Sequence, residues 1–220
     1  FTGISPAELR SMPKVLERVQ KVKEMRLNSS AEGTRKLADR PHEFRETYNF
    51  DSYIIIPSTS SENRKYIPMG FMGKDDISTN ANLIIPNATL YDFGILTSNV
   101  HMAWMRTVAG RLEMRYRYSA KIVYNNFPWP TVTEEQKEFI ANTAQGILDA
   151  RALYPDSSLA DLYDELTMPV ELRKAHQAND IAVMKAYGMI KKVDGKNTFL
   201  TESETVARLF EMYQELTEKK

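Results

Sequence analysis

Apolar residues Val15, Leu16, Val19, Val22 and Met25 recur three and four apart, the spacing of one helix face, and predict a helix reaching about Leu27. Ser5 followed by Pro6-Ala7-Glu8 supplies an N-cap, a proline at the first helical position and an acid in the first turn. Ser11 with Pro13 repeats that signal. Asn28-Ser29-Ser30 ends the helix, a shorter one is expected over 31–38, and Pro41 breaks the pattern. From Tyr48 the period changes. Tyr53 to Ile56, bounded by Pro57, predicts a strand, and Ser58 to Asn63 a polar turn. Further strands are expected over 66–72, with Pro68 marking an edge or an irregularity, and over 82–85, ended by Pro86. A helix is expected over 97–108, closed by Gly110, then strands over 112–118 and 121–124.

Phe127-Pro128-Trp129-Pro130 marks a boundary, beyond which the pattern is helical. Thr133 with Gln136 forms a capping box for a helix to about Leu153. Ser157 or Ser158 starts a short helix through Leu166, Pro169 opens another through Ala186, and Thr201 caps a last one to about Thr217. A small hairpin is expected around Asp194-Gly195. The expected fold is α+β: a mixed α/β domain over 1–130 followed by an all-helical C-terminal domain over 131–220.

The chain of 220 residues lacks any run of 18 apolar residues, so no membrane span is expected. It begins Phe1-Thr2-Gly3, without the basic flank and apolar stretch of a signal peptide, and reads as part of a longer polypeptide. The absence of cysteine excludes disulfides and thiolate metal sites and fits a reducing compartment. Net charge is zero, yet residues 1–130 hold 18 Lys/Arg against 13 Asp/Glu, and residues 131–220 hold 11 against 16. Within 106–121, Arg106, Arg111, Arg115, Arg117 and Lys121 face one acid, Glu113. A basic face suits a polyanion partner; a solvated surface with uneven charge gives the same count.

Catalytic signatures are missing. His42, His101 and His176 are far apart and in no metal-binding pattern, so each is expected to be packed or surface-paired. Gly70-Phe71-Met72-Gly73 lacks the third glycine of a dinucleotide loop. Asn125-Asn126-Phe127-Pro128-Trp129 approaches the Asn-Pro-Pro-aromatic loop of amino-methyltransferases, but no proline follows either asparagine. It is expected to be a connector whose aromatic rings pack between the two halves.

The chemistry that stands out is Leu112-Glu113-Met114-Arg115-Tyr116-Arg117-Tyr118. On one strand, Glu113, Arg115 and Arg117 would share a face and Leu112, Met114, Tyr116 and Tyr118 the other. Glutamate can accept from cytosine N4, and arginine can donate twice to guanine O6 and N7. Arg106, Arg111, Lys121 and Lys74 would then hold phosphates. An exposed strand on which Glu113 simply pairs with its neighbouring arginines is the simpler reading of the pattern by itself.

Three stretches, Tyr91 to Met105, Gly110 to Pro130 and Met168 to Asp180, together resemble the MmeI-like (type IIL) restriction–modification enzymes. The similarity covers most of the chain and is strongest from about Tyr48 to Tyr187. It implies a target-recognition domain followed by a helical C-terminal domain, with no catalytic residue in this fragment. It also implies an upstream methyltransferase domain of the same polypeptide that modifies adenine N6 with S-adenosylmethionine. An endonuclease domain using Mg, if present, would lie there too. The partner implied is double-stranded DNA in a prokaryotic cytoplasm. Glu113, Arg115 and Arg117 match the family's base-reading positions, and Ala81 stands where an assisting loop residue belongs. The resemblance further implies a target with a purine, then the methylated adenine, then C. The competing class is a protein-interaction module docking through the acidic helical half; a complete small enzyme would need a site that the sequence lacks.

Overall fold

Residues 1–46 and 50–218 are described by the structure, a computed structural model, in two units, Phe1–Asn49 and Phe50–Lys220. In the first, Ser5 is the expected N-cap of α1 (Pro6–Arg10), and Glu8 bonds back to it to close a capping box. Proline opens α2 (Pro13–Leu27) at its first position, with Met12 as cap. The helix expected over 31–38 is split into α3 (Glu32–Arg35) and a 3-10 turn, Lys36–Asp39. The change of period at Tyr48 lies outside the described residues.

The second unit begins with β1 (Ser52–Pro57), which is flanked by antiparallel β3 (Gly70–Gly73) and β4 (Asn82–Pro86). The strand expected over 66–72 pairs only from Gly70. Pro68 has no N–H to give a ladder, so Tyr66, Ile67 and Met69 are buried as irregular chain. The segment 58–63 is not all turn, because β2 (Thr59–Ser60) continues the line of β1 into a second sheet. That sheet is completed by β5 (Gly110–Leu112) and β6 (Arg115–Arg117) in the order β2-β6-β5. Ser58 is the residue at which one extended stretch changes sheet.

A helix not expected from the sequence, α4 (Leu90–Leu96), carries Thr89 and Asp92 as a capping box. It buries Phe93, Ile95 and Leu96. α5 (Asn99–Val108) follows, capped by Ser98; Gly110 already belongs to β5 and does not close the helix. The strand expected over 121–124 is a single π-helical turn, Ala120–Tyr124, in which the Asn125 N–H donates to Ala120 O at 2.8 Å. The indole of Trp104 donates to Val123 O at 3.0 Å, a tertiary contact that overrides the β-branched pattern.

After Pro130 the chain is helical apart from one hairpin: α6 (Glu134–Ala152), α7 (Leu159–Leu162), α8 (Val170–Ala186) and α9 (Glu202–Glu218). The expected hairpin is β7 (Ile190–Val193) with β8 (Lys196–Phe199). Its loop, Asp194-Gly195, has φ of 50° and 79°, both in the left-handed region that such a turn requires. These helices pack directly on the earlier ones, α6 on α4 and α8, and α9 on α5. Phe127 is buried as expected, edge-on to His101 with centroids 4.5 Å apart and beside Tyr187, whose hydroxyl donates to Pro128 O at 3.0 Å. Pro130 therefore marks a change of periodicity inside one unit.

Buried polar groups tie the strand region to the helices. The Tyr66 hydroxyl donates to Asp180 Oδ2 at 2.7 Å, and Asp180 Oδ1 accepts the Asn99 N–H at 2.7 Å, at the start of α5. His176 stacks on Tyr66 with centroids 4.1 Å apart and bonds the Tyr163 hydroxyl at 2.7 Å. Arg151 donates to that hydroxyl and to Met69 O. Burial pushes both His101 and His176 down to about 3, for His176 with help from the Arg151 charge, so both rings are neutral. Burial raises Asp180 to about 6, against the hydrogen bonds that favour its carboxylate.

Candidate nucleic-acid interface

The stretch 112–118 is not one strand. β5 and β6 form a hairpin with Leu112 opposite Arg115, Arg111 opposite Tyr116 and Gly110 opposite Arg117. Glu113 and Met114 are its two loop residues, and Glu113 has φ 56°, a conformation that side chains with a Cβ adopt rarely. A positive φ at the first loop residue alone is the pattern of a II′ turn, where glycine is usual.

The turn redistributes the side chains. Directly opposed residues of an antiparallel pair share a face. Leu112 therefore joins Arg115 and Arg117 rather than Tyr116, and Gly110 opposes Arg117 without a side chain to cover it. Tyr116 and Tyr118 are buried as expected, but Leu112 and Met114 are exposed. Glu113 sits at the tip and not on the same strand as the arginines. It still meets Arg115: the guanidinium donates to Glu113 Oε2 at 2.7 Å, with 48% of the arginine and 76% of the glutamate side chain exposed. Arg117 is exposed and makes no ion pair among the described residues.

The hairpin has a firm base. The Tyr118 hydroxyl bonds His101 Nε2 at 2.8 Å inside the core, and the Tyr118 N–H donates to Ser58 O at 2.9 Å. Ser58 in turn donates from its N–H at 3.0 Å and its hydroxyl at 2.6 Å to Ala81 O. One serine thus links the exposed loop residue Ala81 to the foot of the strand that carries Arg117. Sequence reasoning passed over Ser58, and a serine after a β-branched run ending in proline gives no signal of its own.

The other cations divide. Arg111 lies over the Tyr116 ring at 3.7 Å and donates to Met114 O at 2.9 Å, bracing the turn. Arg106 makes a two-point contact with Glu202 at 2.8 and 3.0 Å and also donates to Lys65 O, so each of its three nitrogens already has a partner in the protein. Lys121 is exposed on the π turn. Lys74 is exposed beyond Gly73, which pairs with Ser52, whereas Asn82, next to Ala81, pairs with Pro57. Lys74 is therefore at the far end of β1, ~17 Å away along the strand.

Other candidates are structural. Asn126 donates to Lys121 O at 3.1 Å, and Trp129 packs against Tyr91 and Tyr124. Among the described residues, no group of three or more His, Asp or Glu side chains could hold a metal ion, and no helix is long and apolar enough to cross a membrane.

The β5–β6 hairpin, braced by β2 on one edge, carries exposed charged side chains at and behind its tip, and a β-ribbon is one of the elements that a DNA major groove admits. Residues 2–131 match the family model described as MmeI, target recognition domain, and residues 132–219 that of MmeI, C-terminal domain. The chain belongs to this family. It is 41% identical over 213 residues to DNA methyltransferase A of Bacillus subtilis (strain 168), covering 96% of this chain and 23% of that protein. It is also similar to a solved structure of the type IIL restriction-modification enzyme MmeI in complex with DNA. There the TM-score is 0.89 and the identity 49%, over 98% of this chain and 28% of that one. The chain spans about a quarter of the length of the relatives it matches.

Proposed function

We propose that this chain is the sequence-reading module of a larger DNA methyltransferase, with residues 1–130 as recognition domain and 131–220 as helical C-terminal domain. The observation that carries the reading is the β5–β6 ribbon, which holds Glu113 and Arg115 together and Arg117 uncovered beside the Ala81 loop. In the complex, Glu113 accepts from cytosine N4 while Arg115 donates to O6 and N7 of the paired guanine. The ion pair they form without DNA is exposed and worth ~0–1 kcal/mol, so rearranging it toward bases costs little. Arg117, with Ala81 leaving room, reads a neighbouring purine. Lys121, exposed and without an ion pair among the described residues, is the first of the remaining cations for a phosphate; Arg111 is exposed but engaged with the Tyr116 ring and Met114 O, the half-buried Arg106 is bonded to Glu202 and Lys65 O, and Lys74 lies at the far end of β1.

The parent is proposed to methylate adenine N6 between that purine and the C. S-adenosylmethionine belongs to the upstream methyltransferase domain, as does Mg if the parent also carries an endonuclease. The proposed setting is the cytoplasm of a prokaryote, without membrane attachment. Single-molecule methylome sequencing of the source cell, with the parent gene deleted and restored, tests the reading. One methylated motif containing purine-A-C should vanish and return with the gene; an unchanged methylome would refute it.

A further inference from the structure

Resting on the reading that the parent is a larger methyltransferase, we propose that an apolar cavity in the unit Phe1–Asn49 is the seat of the parent's methyltransferase portion. α2 presents Val15, Val19 and Val22 on one side, and Phe1, Pro41 and Phe44 close the other, around about 450 Å³. Arg26 builds the second wall. Arg26 is 8% exposed, and its guanidinium donates to Leu37 O, Arg40 O and Glu43 O, each at 2.8 Å, which pins the loop across α2. The cavity is therefore held in shape by directed bonds, as a preformed receptor is.

The unit does not fill this space. Phe1, Met25, Leu27 and Phe44 are all more than half exposed, and Ala38 is the one buried apolar residue among the described residues of the unit. A unit of this size with so little apolar burial gains stability from a surface that covers it. A small molecule would need free polar groups to orient it. Of the polar side chains in the lining, Arg26 is bonded to backbone and Glu43 lies 3.3 Å from Arg40 and 3.7 Å from His42, which leaves Arg18, at the rim, as the one charged side chain without an ion-pair partner among the described residues. The polar surface of DNA cannot fill an apolar hollow.

Two observations favour the rest of the parent. The relatives are about four times as long, and the domain matched by 132–219 is their C-terminal one. Their further length lies on the Phe1 side in sequence, and Phe1 itself lines the cavity. At the rim, Arg18 and, one turn before it, Lys14 are exposed and have no ion-pair partner among the described residues, unlike Lys21 with Glu17. The matching surface is thus a cluster of large apolar side chains flanked by carboxylates.

Amide hydrogen exchange tests this on the full-length parent and on this chain alone, both without DNA. Amides of 15–26 should exchange on the order of tenfold more slowly in the parent. Val19→Asp in the parent should return them to the rate of the isolated chain while amides of 99–108 keep theirs, which shows that the variant is folded. Equal rates in parent and chain would overturn the proposal. So would protection that develops only with added duplex DNA, or protection of the isolated chain that rises with its concentration. No base is read in this experiment, so a failure of the DNA-reading assignment leaves its outcome unaffected.

Discussion

Glu113 holds a backbone conformation that glycine adopts freely, at a position where an acid can be exposed beyond both strands. Strain retained at an exposed residue points to use of its side chain. Glu113→Gly is expected to leave the melting temperature unchanged or higher and to relax the parent's selectivity at one base pair, measured by methylome mapping. A fall in stability with selectivity intact would contradict that. The arginines and the glutamate were legible in the sequence because alternation and charge are local properties. The positive φ was not, since nothing in Leu112-Glu113-Met114-Arg115 announces a turn.

The buried histidines make a prediction about acid. Both sit at about 3 in the fold against 6.5 ordinarily, so the unfolded chain binds more protons between those values. Their contribution is complete above about pH 6.5 and is lost as pH falls toward 3. Asp180 acts in the opposite sense: raised to about 6, it favours the fold most below its ordinary 3.8, and that contribution is lost as pH rises through 6. Two groups outweigh one, so the melting temperature should fall between about pH 7 and about pH 4.5. His176→Phe should flatten that slope, and an unchanged slope would show that the ring is not the titrating group.

At the scale of elements, most helices were readable from caps and periodicity, as Ser5, Thr133 and Thr201 illustrate. α4 was not, because its apolar residues leave no polar face and a glycine interrupts it. Gly94 is there for approach: a Cβ would lie 2.6 Å from Ile140 Cγ2 on α6 and 3.1 Å from Asn179 Oδ1, whose amide donates to Gly94 O. Gly94→Ala should therefore destabilise the protein by ~1–3 kcal/mol through overpacking, read by urea denaturation. The hairpin was missed for a related reason. Pairing of Leu112 with Arg115 is decided by Tyr116 under Arg111 and by β2 on the other edge, contacts that alternation within one strand cannot express.

For the whole molecule, the proline-rich segment at 127–130 is the strongest break in the sequence, yet the described structure separates after Asn49. Composition sees the change from strands to helices. It does not see that α4 and α5 bury their apolar faces on α6, α8 and α9. Residues 50–220 alone should accordingly unfold in one cooperative calorimetric transition, and two separated transitions would contradict the continuous core.

Whether Glu113 and Arg115 read one C·G pair is decided by exchanging their charges. In the full-length parent, Glu113→Lys with Arg115→Asp keeps a Cβ-bearing residue at the turn and an opposite-charge pair at the tip. Lysine can donate to guanine and aspartate can accept from the opposite cytosine, a contact worth ~1–3 kcal/mol of discrimination. Methylome sequencing should then find the modified motif changed from C to G at that one position, with the rest retained. A motif that stays the same would mean that the two residues form a surface ion pair and do not read bases.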